Sequence, residues 1–546
     1  MSQSSNRPAI QVVWFKRDLR LTDHAPLRAA QELSIPTLFL YFHEPTLRNS
    51  AEYDLRHGLF IQQSIQSLNL ELEEHGLRLE VSFRDCLESF ERLRSRYEIK
   101  RILSHMETGQ ALTFERDLAV GAWCKKHGIE WLEFRQAGVI RGLRSREKWS
   151  REWTRLMSAP QQHPELDSIR PFEWQNTSEG IDVLGPESAE SSTQKPLGIS
   201  PQSLPKISLA GSDEELQMAA SYQMQRGGEA LAQSILESFL QGRVRNYFGN
   251  ISKPEASRLW CSRISPYLAW GNISMRQVYQ QLSSTEPEPG MKRGLSGFQS
   301  RLFWRDHFTQ KLESEPRLEF ENLNRGYDVI RQKRDENRIE AWEKGMTGIP
   351  LVDACLRCVA ATGYLNFRMR AMVASCFTHL LWQPWQAGSA WLARQFLDYE
   401  PGIHFSQFQM QAGAFGVNTF RVYNPVKQAQ DHDPEARFIK FWIPELRELP
   451  APFAIAPWTM TPLEEQFYNY RPGISYPKPV IGPDYAATRA RKKLHEVAKT
   501  PLAREEAKRI LRIHVNPNGR RQRFRKWAEK DQGKNYQSGT HANQGR

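Results

Sequence analysis

Apolar residues keep one rhythm in the first part of this chain and another in the rest. From Ile10 to about Arg135, short apolar runs alternate with helical stretches. "IQVVWF", "PTLFLYFHE", "LRLEVSF", "KRILSHM" and "IEWLEFR" read as strands. "APLRAAQEL", "EYDLRHGLFIQQSIQSLNLELEEHG" and "FERDLAVGAWCKKHG" read as helices, the last two closed by glycine. Strands alternating with helices imply a doubly wound parallel sheet, whose ligands sit beyond the carboxyl ends of the strands. "WFKRDLRLTD" and "SHMETG" fall on that rim, and Arg17 and Asp18 read there as strand-end ion-pair formers.

The rhythm breaks between Gln175 and Glu215, where Ser, Pro and Gly dominate and periodicity fades. Helical segments follow, including "GGEALAQSILESFLQG", "FQSRLFWRDHFTQKLE", "IPLVDACLRCVAAT", "FRMRAMVASCFTHLLW" and "SAWLARQFL". The expected organisation is an α/β domain over 8–140, a connection over 141–226, an all-helical domain over 227–496 and a basic extension over 497–546.

Charge and cysteine usage narrow the class further. The chain has 546 residues and a formal charge of +12. From Pro501 onward 12 Lys and Arg face 4 Asp and Glu, so the last segment carries +8 of that total. Such a segment suits phosphate neutralisation on nucleic acid, or simple solvation. Six scattered cysteines argue against a disulfide scaffold, and Cys355 and Cys358 read as core thiols of one helix. Apolar runs fall short of a membrane span. The opening "MSQSSNRPAIQVVWF" lacks a leader pattern, so a cytoplasmic monomer is expected.

Four segments in order resemble the photolyase/cryptochrome flavoproteins: "VVWFKRDLRLTDHAPL", "CSRISPYLAWGNIS", "WEKGMTGIPLVDACLR" and "RVYNPVKQAQDHDPEARFIKFWIPEL". The resemblance covers about Ile10 to Glu496. It implies an α/β antenna domain, a long linker and a helical domain that buries a folded FAD. It places Cys261, Ser262, Arg263, Ile264 and Ser265 at the FAD diphosphate, where hydroxyls and backbone N–H groups would serve as donors. Cys261 stands where Thr is usual. Tyr247 resembles the tyrosine near the flavin phosphates. Asp398 is expected to pair with Arg370 beside the flavin ring, and Glu400 to be a second acid near the ribityl or adenine side. His404 falls at the flavin N5 edge, where photolyases usually carry Asn. An imidazole there could exchange a proton near neutral pH.

The same resemblance implies a slot for a flipped pyrimidine dimer in DNA. Trp304 resembles its stacking wall. The opposite wall, usually Trp, is Met410. Arg301 stands where a dimer-binding carboxylate is usual, and Phe367 where Asn is usual. Of the expected tryptophan relay for flavin photoreduction, the flavin-proximal member is Phe408 and the middle one matches Trp385. Trp382, Tyr364 and Tyr423 are candidates for another route. Glu107 and Thr108 lie where an antenna chromophore, a folate or a deazaflavin, would bind. Two functions follow: a DNA photolyase with an atypical lesion pocket, or a cryptochrome-like blue-light photoreceptor acting through a protein partner.

Overall fold

The computed structural model describes residues 7–185, 221–331, 333–417 and 420–515. The five expected strands, β1 (Ala9–Phe15), β2 (Thr37–Phe42), β3 (Leu79–Ser82), β4 (Glu98–His105) and β5 (Glu130–Phe134), form one sheet. Its order is β3-β2-β1-β4-β5, and every pairing is parallel. Central β1 is apolar on both faces because both are covered: Val12, Val13, Trp14 and Phe15 are all buried. Strand order reverses between β1 and β4, so the segments leaving their carboxyl ends share one crevice.

Local signals explain the flanking helices. Leu55–Glu73 starts from a capping box in which Asp54 and His57 satisfy each other's orphan N–H groups. Ala111–His127 stops at Gly128, whose φ of 67° is a left-handed conformation that a Cβ disfavours.

From Glu229 onward the described residues contain helices and no β-strand. Helix Pro350–Thr362 is buried on nearly every side, which explains its lack of a polar face. Cys355 and Cys358 sit inside it as free, fully buried thiols. Helices Lys292–Ser314 and Pro401–Gln411 pack together and carry Arg301, Trp304, His404, Phe408 and Met410.

The two halves meet along a polar seam. Arg17 donates to the Tyr399 carbonyl at 2.9 Å and stacks 4.5 Å from the Trp270 ring. Arg56 donates to the Gln395 carbonyl at 2.8 Å, and Glu229 accepts from the Leu21 N–H at 2.6 Å. Gly271 lies so close to this seam that a Cβ would stand 2.2 Å from the Arg17 carbonyl oxygen.

The helical region runs further than the sequence pattern suggested. The expected limit at 496 falls inside helix Pro483–Ala498, and a helix Pro501–His514 follows. This last helix is docked rather than solvated. Asn324 donates to the Ala503 carbonyl at 2.9 Å, and Ala503, Ile510 and His514 are buried along one face. Its charge masked that apolar stripe. Residues 516–546, with most of the tail's charge, and 186–220 of the connection lie outside the described residues. Among the described residues no helix is long and apolar enough to cross a membrane.

Candidate functional site

A cavity of about 1040 Å³ opens in the helical half. That is at the upper end of small-ligand sites, roughly 300–1,000 Å³, and is ample for a bent dinucleotide. Its wall includes every expected cofactor and substrate residue except Trp385.

On one side Arg370, from helix Phe367–Ser375, donates to Asp398 Oδ2 at 2.9 Å and to the Leu365 carbonyl at 2.8 Å. Its guanidinium lies 4.1 Å from the Phe396 ring centre. Asp398 Oδ1 is buried with no partner, so the cavity presents an unused acceptor beside a fixed cation. Next to it, His404 is bonded through Nε2 to the Ser389 carbonyl at 2.9 Å. A carbonyl only accepts, so Nε2 carries the proton and Nδ1 is left as an acceptor. Burial holds this imidazole neutral, its pKa pushed down to about 4. Glu400 accepts from Arg305 Nη2 at 2.7 Å; burial nonetheless pushes its pKa up, against the pull of Arg305.

Across the cavity the Cys261–Ser265 turn leads into a short helix, Ser265–Ala269. Arg263 has φ 58° and stacks 3.9 Å from the Tyr364 ring. Burial and the neighbouring Arg258 push its pKa down to about 10, and among the described residues no carboxylate pairs with it. A buried cation without an acid is costly and suits an anionic ligand. The Cys261 thiol is buried against the Tyr364 hydroxyl, and its pKa is pushed up to about 12, mainly by burial. It therefore presents no hydroxyl-like donor to a phosphate, and Ser262, Arg263 and backbone N–H groups remain for that work.

The slot side is formed by helix Lys292–Ser314. Trp304 is 37% exposed and makes edge contact with His307 at 5.0 Å. Arg301 lies beside the Tyr247 hydroxyl, close enough to act on its charge, and 6.0 Å from the Phe367 ring, with no acid partner among the described residues. Tyr247 and Arg301, expected in separate roles, thus touch. Met410 is half-buried and borders the same cavity.

Trp385 lies just behind this wall, its ring 6.4 Å from both Phe405 and Phe408 and its indole N–H bonded to Asn322 at 2.9 Å. Trp382 is a poor relay. Arg331 and Arg489 flank its ring at 5.5 and 5.4 Å, and two guanidiniums oppose a positive hole. Tyr364 lies under Arg263 and meets the same objection, while Tyr423 borders the cavity.

At the sheet rim, two cavities of about 60 and 90 Å³ include Glu107, and the smaller one Thr108. Arg17 lines both and lies 3.8 Å from Glu107, and Arg116, at the larger one, binds Glu107 at 2.7 Å. Sequence reasoning missed what Asp18 does. It is fully buried and accepts from His105 at 2.7 Å and from His24 at 3.1 Å. Burial alone would raise its pKa, but these two bonds bring it far below the usual carboxylate range. His24 and His105 are 81 positions apart in sequence, so no local pattern could have joined them.

A cavity of this size, with a buried Arg–Asp couple at one end and a buried arginine in the turn at the other, suits a bent dinucleotide. Residues 298–496 match the FAD binding domain of DNA photolyase, and residues 11–142 the family DNA photolyase. The chain is 28% identical over 484 residues to cryptochrome DASH of Gloeobacter violaceus, covering 86% of this chain and 92% of that one. It is 26% identical over 489 residues to deoxyribodipyrimidine photo-lyase of Vibrio cholerae, covering 85% and 96%. The crystal structure of a class III photolyase from Agrobacterium tumefaciens matches with a TM-score of 0.72 at 23% identity, covering 91% of this chain and 99% of that chain. The chain belongs to the photolyase/cryptochrome family, and its cofactor is FAD.

Proposed function

We propose that this protein is a light-driven DNA photolyase that opens pyrimidine dimers with an electron from excited, reduced FAD. The observation that carries this reading is the continuity of one cavity from the Arg370–Asp398 couple to the half-open Trp304 face. Bound reduced FAD supplies the light-excited electron donor. Everything else is done by the chain's own groups. Arg370 and Asp398 fix the ring end, and Arg263 and Ser262 face the phosphates. His404 Nδ1 accepts a hydrogen bond and, being neutral, adds no charge. Trp304 offers a flat, accessible face on which an extruded base stacks, a contact worth roughly 1–3 kcal/mol. Arg301, free of any acid among the described residues, donates to a lesion carbonyl rather than accepting from the base edge. Met410 closes the opposite wall with a deformable thioether.

The test is illumination of the reduced, FAD-loaded protein with DNA carrying cyclobutane or (6-4) lesions, in single- and double-stranded form. Restored bases in any arm support the reading, and none in all four arms refutes it. The second reading is a blue-light photoreceptor acting on a protein partner. It is favoured by Phe408 at the relay position and by the similarity to cryptochrome DASH. Light-dependent flavin chemistry without repair in any arm would select it.

A further inference from the structure

Among the described residues, two cations in the cavity wall have no counter-charge. Arg146, which precedes helix Trp149–Met157, is 1% exposed, and its Nε and Nη1 have no partner. Its remaining bond is a long one, 3.4 Å, from Nη2 to the His307 carbonyl. Lys311 is 8% exposed and makes no ion pair among the described residues. Its ammonium lies between the Phe308 and Phe415 rings, at 4.9 and 4.7 Å. Ring faces attract a cation but bring no full negative charge to offset its lost hydration. The acids on this part of the helix are taken: Glu313 pairs with Arg141, and Glu315 with Arg317, Arg509 and His514. Arg146 lowers the proton affinity of Lys311, and both lower that of His514, so they share one field. Both border the large cavity.

Natural interiors rarely keep one unpaired cation, and here two converge on the same space. We propose that Arg146 and Lys311 form a second oxyanion pocket, on elements separate from the Cys261–Ser265 turn, which takes a phosphate-type group. Guanidinium forks suit phosphate oxygens bidentately, and the ammonium adds a point charge. The group has two sources, free orthophosphate or the phosphodiester of a nucleic acid whose base lies on Trp304. Lys311 is seven residues from Trp304 on one helix, which returns both to the same face about 10 Å apart along the axis.

The experiment uses the full, FAD-loaded chain in phosphate-free buffer at constant ionic strength set with sodium chloride. The thermal midpoint is followed against orthophosphate, and in a second arm against thymidylyl-thymidine with thymidine as control. Wild type should show a saturable rise in at least one arm. Lys311→Met and Arg146→Met should need about tenfold or more ligand for the same rise, and Lys311→Arg should keep it. Response to orthophosphate alone assigns a free anion; response to the dinucleotide but not to thymidine or orthophosphate assigns a nucleic-acid phosphodiester. Lys311→Met removes a buried charge, and if it fails to accumulate, Lys311→Gln is read the same way. No saturable rise in either arm overturns the proposal. So does an equal rise in the Met variants. Loss of flavin from those variants would also overturn it, by giving the two cations to the flavin's own phosphates.

Discussion

Replacing Arg370 by Met tests the flavin grip directly. The side chain is 26% exposed and its partner Asp398 only 7%. Asp398 Oδ1 has no partner, and Oδ2 has Arg370 alone. Met keeps most of the aliphatic stem but loses the guanidinium that lies 4.1 Å from the Phe396 ring, so the loss is mainly electrostatic. Breaking a buried pair from one side costs about 3–5 kcal/mol, and the partial exposure of the guanidinium puts this case near 3. Because the orphaned carboxylate lies in the cavity wall, flavin retention should suffer with stability. The assay is denaturant-induced flavin release, read as protein-bound flavin absorbance, for R370M, D398N and the double variant. D398N removes the stranded charge, so the double variant should recover part of the R370M loss, a coupling of about 2 kcal/mol. Full flavin occupancy in R370M, with additive single-variant effects, would refute the reasoning.

Three further outcomes follow from the same geometry. Burial holds His43, His57 and His404 at about 4 and His105 and His379 at about 3, all below the usual 6.5. From pH 6.5 down to about 4 the unfolded chain binds protons that the folded one refuses, so stability should fall steadily over that window in urea titrations. Lys311 is pushed by burial from 10.5 down to about 7. Between those values the unfolded chain binds the extra proton, so Lys311 itself adds a climb in stability with pH from 7 to 10.5, on top of the opposite trend that the buried thiols bring near pH 9 and above. Lys311→Met should flatten that part of the climb and be the more stable protein at neutral pH without phosphate. Phe408→Trp should speed light-driven flavin reduction by an external donor, and adding Trp385→Phe should cancel the gain; an unchanged rate in the first variant would remove Trp385 as a relay.

Periodicity carried the fold because β1 and helix Pro350–Thr362 owe their largely apolar sequences to burial. The flavin grip was legible for a similar reason. A carboxylate and a guanidinium in apolar helices need partners, and Asp398 and Arg370 are such a couple. Other features depend on long-range closure that no window of sequence contains. Arg146 and Lys311 are far apart in the chain, and what marks them is the lack of an acid in space. The docked helix at Pro501–His514 was hidden because its buried positions, Ala503, Ile510 and His514, are few and small among abundant charge. The Tyr247–Arg301 contact joined two expected roles that motif comparison had kept apart.

That closing helix has a practical bearing on how the protein is handled. Val515 belongs to the cavity wall, and Ala503 rests on the Gly326 backbone. A version trimmed at residue 500 would strip a panel from the chamber as well as a basic tail. It would also take His514 and Arg509 from Glu315, leaving that carboxylate to Arg317. Truncation phenotypes in this protein would therefore report on the chamber before they reported on any tail-borne interaction.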